Sequence, residues 1–106
     1  MASSKRYLTA QVQRDLARKM VFLGGPRQVG KTTLTRALKG AGRGYLNWDV
    51  AEHRERILKT ELQVAPLWIF DEIHKYRLWR RFVKGLFNVR APGQQILVTG
   101  SARLDL

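Results

Sequence analysis

The 106-residue chain has no cysteine, which excludes a disulfide framework. It also has no long apolar run. The longest, Val64 to Phe70, is interrupted by Pro66 and falls far short of the roughly 20 residues that cross a bilayer. The opening residues MASSKRYLTA lack the apolar stretch of about 7 to 15 residues that marks a secretory signal. A membrane span is thereby excluded, and a cytoplasmic location is expected. Acidic residues are scarce: 8 Asp+Glu face 20 Lys+Arg, a net charge of +12. What is plentiful is ordinary core material. Hydrophobic residues make up 44% and aromatics 9%, with 26% charged, which excludes wholesale disorder and collagen-like repeats. The length suits one compact domain or a piece of a larger one, not two domains.

The positive surplus calls for an anionic partner: nucleotide phosphates, nucleic acid, acidic protein or lipid head groups. Half of it lies between residues 75 and 90, where Lys75, Arg77, Arg80, Arg81, Lys84 and Arg90 occur without a single acid.

Gly and Pro divide the chain into helical and extended segments in the order α, β, α, β, α, β, α, β. Leu8, Val12 and Leu16 recur every four residues and predict an opening helix ending near Arg18. Met20–Leu23 reads as a strand buried on both faces. Leu34 and Leu38 lie four apart in a helix from Lys31 to Lys39 that Gly40 is placed to end. Tyr45–Trp48 is a second strand, and Asp49 with Glu52 has the spacing of a capping box for a helix running to about Leu62. Leu67–Phe70 forms a third strand. Trp79, Phe82, Val83, Leu86 and Phe87 mark an amphipathic helix whose other side carries the basic stripe. Gln95–Thr99 is a fourth strand. Strands and helices alternating at this spacing favour a parallel sheet covered on its faces, with ligands beyond the carboxyl ends of the strands.

Three polar clusters follow predicted strands. Gly25-Pro26-Arg27-Gln28-Val29-Gly30-Lys31-Thr32 matches the phosphate-loop pattern G-x-x-x-x-G-K-[ST], between a strand and a helix as that pattern requires. A chance match in a chain of this length has a probability on the order of a few parts in a thousand. The glycines let successive N–H groups turn inward at the positive end of a helix and form a nest for phosphates. Pro26 has no N–H, so the donors are expected from Gln28 to Thr33. Lys31 would meet the β- and γ-phosphates, and the Thr32 hydroxyl would serve Mg²⁺. Asp71-Glu72 closes an apolar strand forty residues after Lys31. Asp71 would hold Mg²⁺ through water, and Glu72 would accept a proton from the attacking water. An acidic pair that merely caps the next helix is the alternative. Thr99-Gly100-Ser101 supplies two hydroxyls suited either to the γ-phosphate and attacking water or simply to a turn.

The segments GPRQVGKTTL at 25–34, YLNWD at 45–49, DEIHK at 71–75 and VTGSAR at 98–103 together resemble the prokaryotic AAA+ ATPases whose longer members carry an uncharacterised C-terminal domain. The resemblance spans nearly the whole chain. It implies an α/β, three-layer P-loop NTPase fold of the additional-strand type, with strand order 5-1-4-3-2. It assigns Lys31 and Thr32 to Walker A, Asp71 and Glu72 to Walker B, and Thr99 or Ser101 to the first sensor, with ATP and Mg²⁺ as cofactors. Residues 1–18 are then an N-terminal helix, and residues 19–106 an AAA+ core holding four strands in the order 1-4-3-2. Such modules continue to a fifth strand, arginine fingers and a helical lid, whereas this chain stops at Leu106. The expectation is of an N-terminal fragment or truncated copy, with hydrolysis belonging to the complete module. Arg103 is either an arginine finger or an exposed loop residue. Without the fifth strand the Met20–Leu23 edge would be open, which predicts self-association.

A rival reading is a nucleic-acid-binding module in which Arg77, Arg80, Arg81 and Lys84 contact DNA phosphates under a nucleotide-dependent switch. A small-molecule phosphotransferase fits less well, because Glu72 suits water activation and no acceptor site is recognisable. His53 and His74 lack companions at ligand spacing and read as non-metal residues. Trp48, Trp68 and Trp79 read as packing residues rather than base-stacking platforms.

Overall fold

A computed structural model describes residues 10–24 and 43–101. Helix α1 covers residues 10–16, followed by β1 (Val21–Leu23), β2 (Tyr45–Asn47), α2 (Ala51–Leu58) and β3 (Leu67–Asp71). A single 3₁₀ turn, Ile73–Lys75, then leads into α3 (Trp79–Val89) and β4 (Gln95–Thr99). The strands form one parallel sheet in the order β1-β4-β3-β2, as expected.

The two central strands are the longest and the most apolar, because a strand flanked by neighbours and covered on both faces must be apolar at successive positions. Alternation sorts their side chains between two cores. Val21, Leu67, Ile69 and Leu97 face one way and pack with Val12 and Leu16 of α1. Leu46, Phe70, Ile96 and Val98 face the other way and pack with Ile57 of α2, Trp79 and Val83 of α3, and Ile73. Phe70 is wholly buried and meets Phe82 edge to face, with ring centroids 5.3 Å apart. Burying such a ring contributes about 1.5–3 kcal/mol.

Trp79 lies in this second core, whose margin Trp48 and Trp68 line. Trp48 also stacks on Tyr76 at 4.6 Å, and the Trp68 indole N–H donates to the Gln63 carbonyl at 2.9 Å. All three tryptophans therefore carry packing roles.

Two local expectations are corrected. Helix α2 stops at Leu58 rather than near Leu62. Thr60 adopts a left-handed conformation (φ 55°), its N–H bonds to the Ile57 carbonyl, and the Glu61 N–H bonds to that of Arg56. Those two bonds make a Schellman ending, with threonine where glycine is usual. The capping box does not form: the N-cap is Val50, with no side-chain cap bond. Asp49 instead accepts from the Lys75 ammonium on both carboxylate oxygens, each at 2.9 Å.

Between α3 and β4 the chain reverses at Ala91-Pro92-Gly93-Gln94, where the Gln94 N–H donates to the Ala91 carbonyl at 3.0 Å. Gly93 has φ 85°, the conformation that position i+2 of a type II turn demands.

Candidate functional site

The parallel register brings Leu23, Thr99, Asp71 and Asn47 into one row across the carboxyl ends of β1, β4, β3 and β2. The ladder continues one step past the strands. Gly100 N–H donates to the Leu23 carbonyl (3.1 Å), Glu72 N–H to that of Thr99 (2.8 Å) and Trp48 N–H to that of Asp71 (2.9 Å). The segments leaving all four strands thus start from one rim, held in register by backbone bonds.

Asp71 ends β3 on the α1 side of the sheet. Its Oδ1 accepts from the Thr99 hydroxyl at 2.8 Å, and its Oδ2 from the Tyr45 hydroxyl at 2.5 Å. Tyr45 reaches it diagonally, because β2 pairs Tyr45 with Ile69 and Asn47 with Asp71. Burial, the bond to Asp71 and the negative charges of Asp71 and Glu72 push the Tyr45 phenol well above its ordinary range, with the Asn47 amide opposing slightly. The phenol therefore stays protonated and remains a donor.

Glu72 turns the other way. It holds a left-handed backbone conformation (φ 57°, ψ 23°), uncommon for a residue with a side chain, and is only 9% exposed. Ser101 donates to its carboxylate twice, from the backbone N–H at 2.8 Å and from the hydroxyl at 3.0 Å. The Lys75 ammonium lies 3.3 Å away and His74 Nε2 3.6 Å away. Burial opposes ionisation, but the Ser101 and Lys75 bonds and the Lys75 and His74 charges outweigh it, so the carboxyl lies below its usual range. The two hydroxyls of the Thr99-Gly100-Ser101 segment are thus divided, Thr99 serving Asp71 and Ser101 serving Glu72.

Of the residues singled out in the sequence, Asp71, Glu72, Thr99 and Ser101 meet at this rim. Gly25, Pro26, Arg27, Gln28, Val29, Gly30, Lys31, Thr32 and Thr33 lie outside the described residues, as does Arg103. The strand from which the Gly25 segment departs ends at Leu23, two positions across the sheet from Asp71. At the usual strand spacing that is about 10 Å.

No group of three or more His, Asp or Glu suited to holding a metal occurs among the described residues. Mg²⁺ characteristically takes one or two carboxylates and completes its shell with water and substrate phosphates. The hard oxygen donors of Asp71, flanked by neutral hydroxyls, fit that ion.

The family model of the AAA domain matches residues 17–106, which include the four strands, the acidic pair and the Gly25–Thr32 pattern. The chain belongs to the AAA-domain family. No curated protein and no solved structure gives a significant match. As an AAA domain it is a nucleotide-binding module of the P-loop type, and the sheet order agrees with that assignment. Among the described residues no helix is long and apolar enough to cross a membrane.

His53 Nδ1 accepts the Asn47 N–H at 2.9 Å, which ties α2 to the end of β2. Arg77, Arg80, Arg81 and Lys84 are exposed on and beside α3, with the Arg80 guanidinium 4.9 Å from the Trp79 ring centre. Two site residues escaped the sequence reading. Lys75 was visible in principle as the cation three positions after Glu72. Tyr45 required the strand order first, then the rule that diagonal neighbours on adjacent strands are within reach of a long aromatic side chain.

Proposed function

We propose that this AAA domain binds ATP together with Mg²⁺ and contributes the acidic half of a hydrolytic site. The observation that carries the reading is the row at the carboxyl rim, where Leu23, the last strand residue before the phosphate-loop pattern, lines up through Thr99 with Asp71. The sequence pattern assigns the phosphates to the Gln28–Thr33 amides and Lys31. Thr32 and Asp71 would hold the metal, Asp71 through a water. Bound Mg²⁺ would neutralise charge developing on the phosphate oxygens.

Glu72 is the group that orients the attacking water and takes its proton. Its carboxyl lies below the ordinary range, so it is ionised at neutral pH and able to accept. Both of its oxygens are engaged, one by the Ser101 N–H and the other by the Ser101 hydroxyl with Lys75. Reaching a water therefore requires the carboxylate to share or exchange the Ser101 hydroxyl bond. Thr99, whose hydroxyl proton goes to Asp71, acts on the phosphates through that carboxylate.

The test is an ATP titration by calorimetry in Mg²⁺ with the parent and with Lys31→Ala. Loss of measurable affinity in the variant is expected. Equal affinity in both proteins refutes the assignment.

A further inference from the structure

The two neighbouring carboxylates at the rim are held by different chemistry. Glu72 is paired with an ammonium, Lys75, as well as with Ser101. Among the described residues Asp71 accepts from two uncharged hydroxyls, one on each oxygen, Thr99 at 2.8 Å and Tyr45 at 2.5 Å. A carboxylate offers about four lone-pair sites, and these two bonds occupy about half of them. Two hydroxyls on opposite oxygens also fix the plane of the group, and neither brings a positive charge that would compete with a cation.

From this geometry we infer that Tyr45 is a positioning residue for the metal-binding carboxylate, its hydroxyl orienting Asp71 toward the ion while leaving its charge intact. The inference rests on the Mg²⁺ role of Asp71 proposed above and adds a residue to it. The phenol suits this task. It is rigid and half-buried against the α1 core, so its oxygen is held in place by packing. Asn47 contributes a long contact to the same oxygen at 3.4 Å, while its backbone N–H is held by His53. Side chains of β2, on a strand end tied to α2 through the Asn47 backbone, therefore set the direction of one carboxylate on β3. Partners that orient a direct metal ligand are commonly worth 10–100-fold in metal affinity.

Replacing Tyr45 by phenylalanine keeps the ring in the core and removes only the hydroxyl, so packing and positioning separate cleanly. ATP affinity is measured by calorimetry in Mg²⁺ and in EDTA for the parent, Tyr45→Phe, Thr99→Val and Asp71→Asn. Tyr45→Phe is expected to lose about tenfold of affinity in Mg²⁺, the low end of that range because Asp71 reaches the ion through a water, and nothing in EDTA. A purely structural role would move both equally or neither, and either result overturns the inference. Asp71→Asn separates the two levels. If it abolishes the Mg²⁺ enhancement while Tyr45→Phe preserves it, the role of Tyr45 fails and the metal role of Asp71 stands. If Asp71→Asn leaves the enhancement intact, the metal role fails, and the positioning role with it. Should Tyr45→Phe not fold, Thr99→Val removes the opposite donor and carries the same expectation. An unchanged Mg²⁺ enhancement in Thr99→Val then counts against orientation by hydroxyls.

Discussion

A methyl group added at each of three glycines should change stability in different directions for different physical reasons. At Gly44, just before β2, a Cβ would stand 2.0 Å from the Leu67 carbonyl oxygen and 3.0 Å from its carbon. An ordinary carbon–oxygen contact is about 3.3–3.6 Å, so more than 1 Å of overlap must be relieved. The obstacle is backbone of a central strand and cannot swing away. Moving β2 off β3 also stretches the bond from the Ile69 N–H to the Gly44 carbonyl, now 2.9 Å. Overpacking costs about 1–3 kcal/mol and a weakened backbone bond about 1 more, so Gly44→Ala should cost about 3 kcal/mol. Gly85 lies inside α3 with no atom of the described residues within 4 Å of the added carbon. There the methyl improves helix propensity, and Gly85→Ala should gain about 0.8–1 kcal/mol. Gly93 has equal space but φ 85°, so Gly93→Ala should cost about 1 kcal/mol in backbone strain alone. Urea unfolding followed by circular dichroism reads all three. With m of about 1–3 kcal/mol/M, the Gly44 variant should lose 1 M or more in midpoint, while the Gly85 variant moves up by a few tenths. A Gly44→Ala protein within about 0.5 kcal/mol of the parent would refute the close approach of the two strands.

Other outcomes follow from the rim. Glu72→Gln should bind ATP with Mg²⁺ as the parent does, yet turn it over at least about 100-fold more slowly in the assembled module, because an amide cannot accept the water proton; a phosphate-release assay with undiminished turnover removes Glu72 from the chemistry. Because the Glu72 carboxyl is depressed in the fold, it stabilises the protein fully above its unfolded value near 4.3, and that contribution disappears as pH falls through the lower folded value. Urea midpoints should accordingly decline on acidification below about pH 4.5, and less steeply in Glu72→Gln; parallel profiles for the two proteins would show that Ser101 and Lys75 do not hold the ionised form.

Much of the sheet was legible because its residues leave little choice. Ile-Leu-Val and Leu-Trp-Ile-Phe are short apolar runs bounded by Pro, Gly and acids, and they became β4 and β3 within a residue of the expected limits. The amphipathic spacing of Trp79, Val83 and their neighbours located α3 in the same way. The strand order came from family resemblance, since periodicity says nothing about which strands adjoin. What local patterns misjudged was decided at a distance. Asp49 had the spacing of a helix cap, but an ammonium 26 positions away took both of its oxygens. The end of α2 was hidden because Thr60 occupies a left-handed position that sequence rules reserve for glycine. At the site, Asp71, Glu72, Thr99 and Ser101 announced themselves by following apolar strands. Their division into two hydroxyl–carboxylate pairs did not, because it depends on the β3–β4 register.

Paramagnetic broadening by Mn²⁺ added with ATP, read on assigned amide resonances of the isotopically labelled protein, asks most directly whether metal and nucleotide meet at this rim. Broadening should be strongest at Asp71, Glu72, Thr99 and Gly100. It should fade toward Val64, Ala65 and Gln94 at the opposite ends of β3 and β4, about 16 Å away along five-residue strands. Strong broadening at Val64, Ala65 and Gln94 with sharp signals from Asp71 and Thr99 would place the ion at the wrong edge of the sheet and contradict the proposed site.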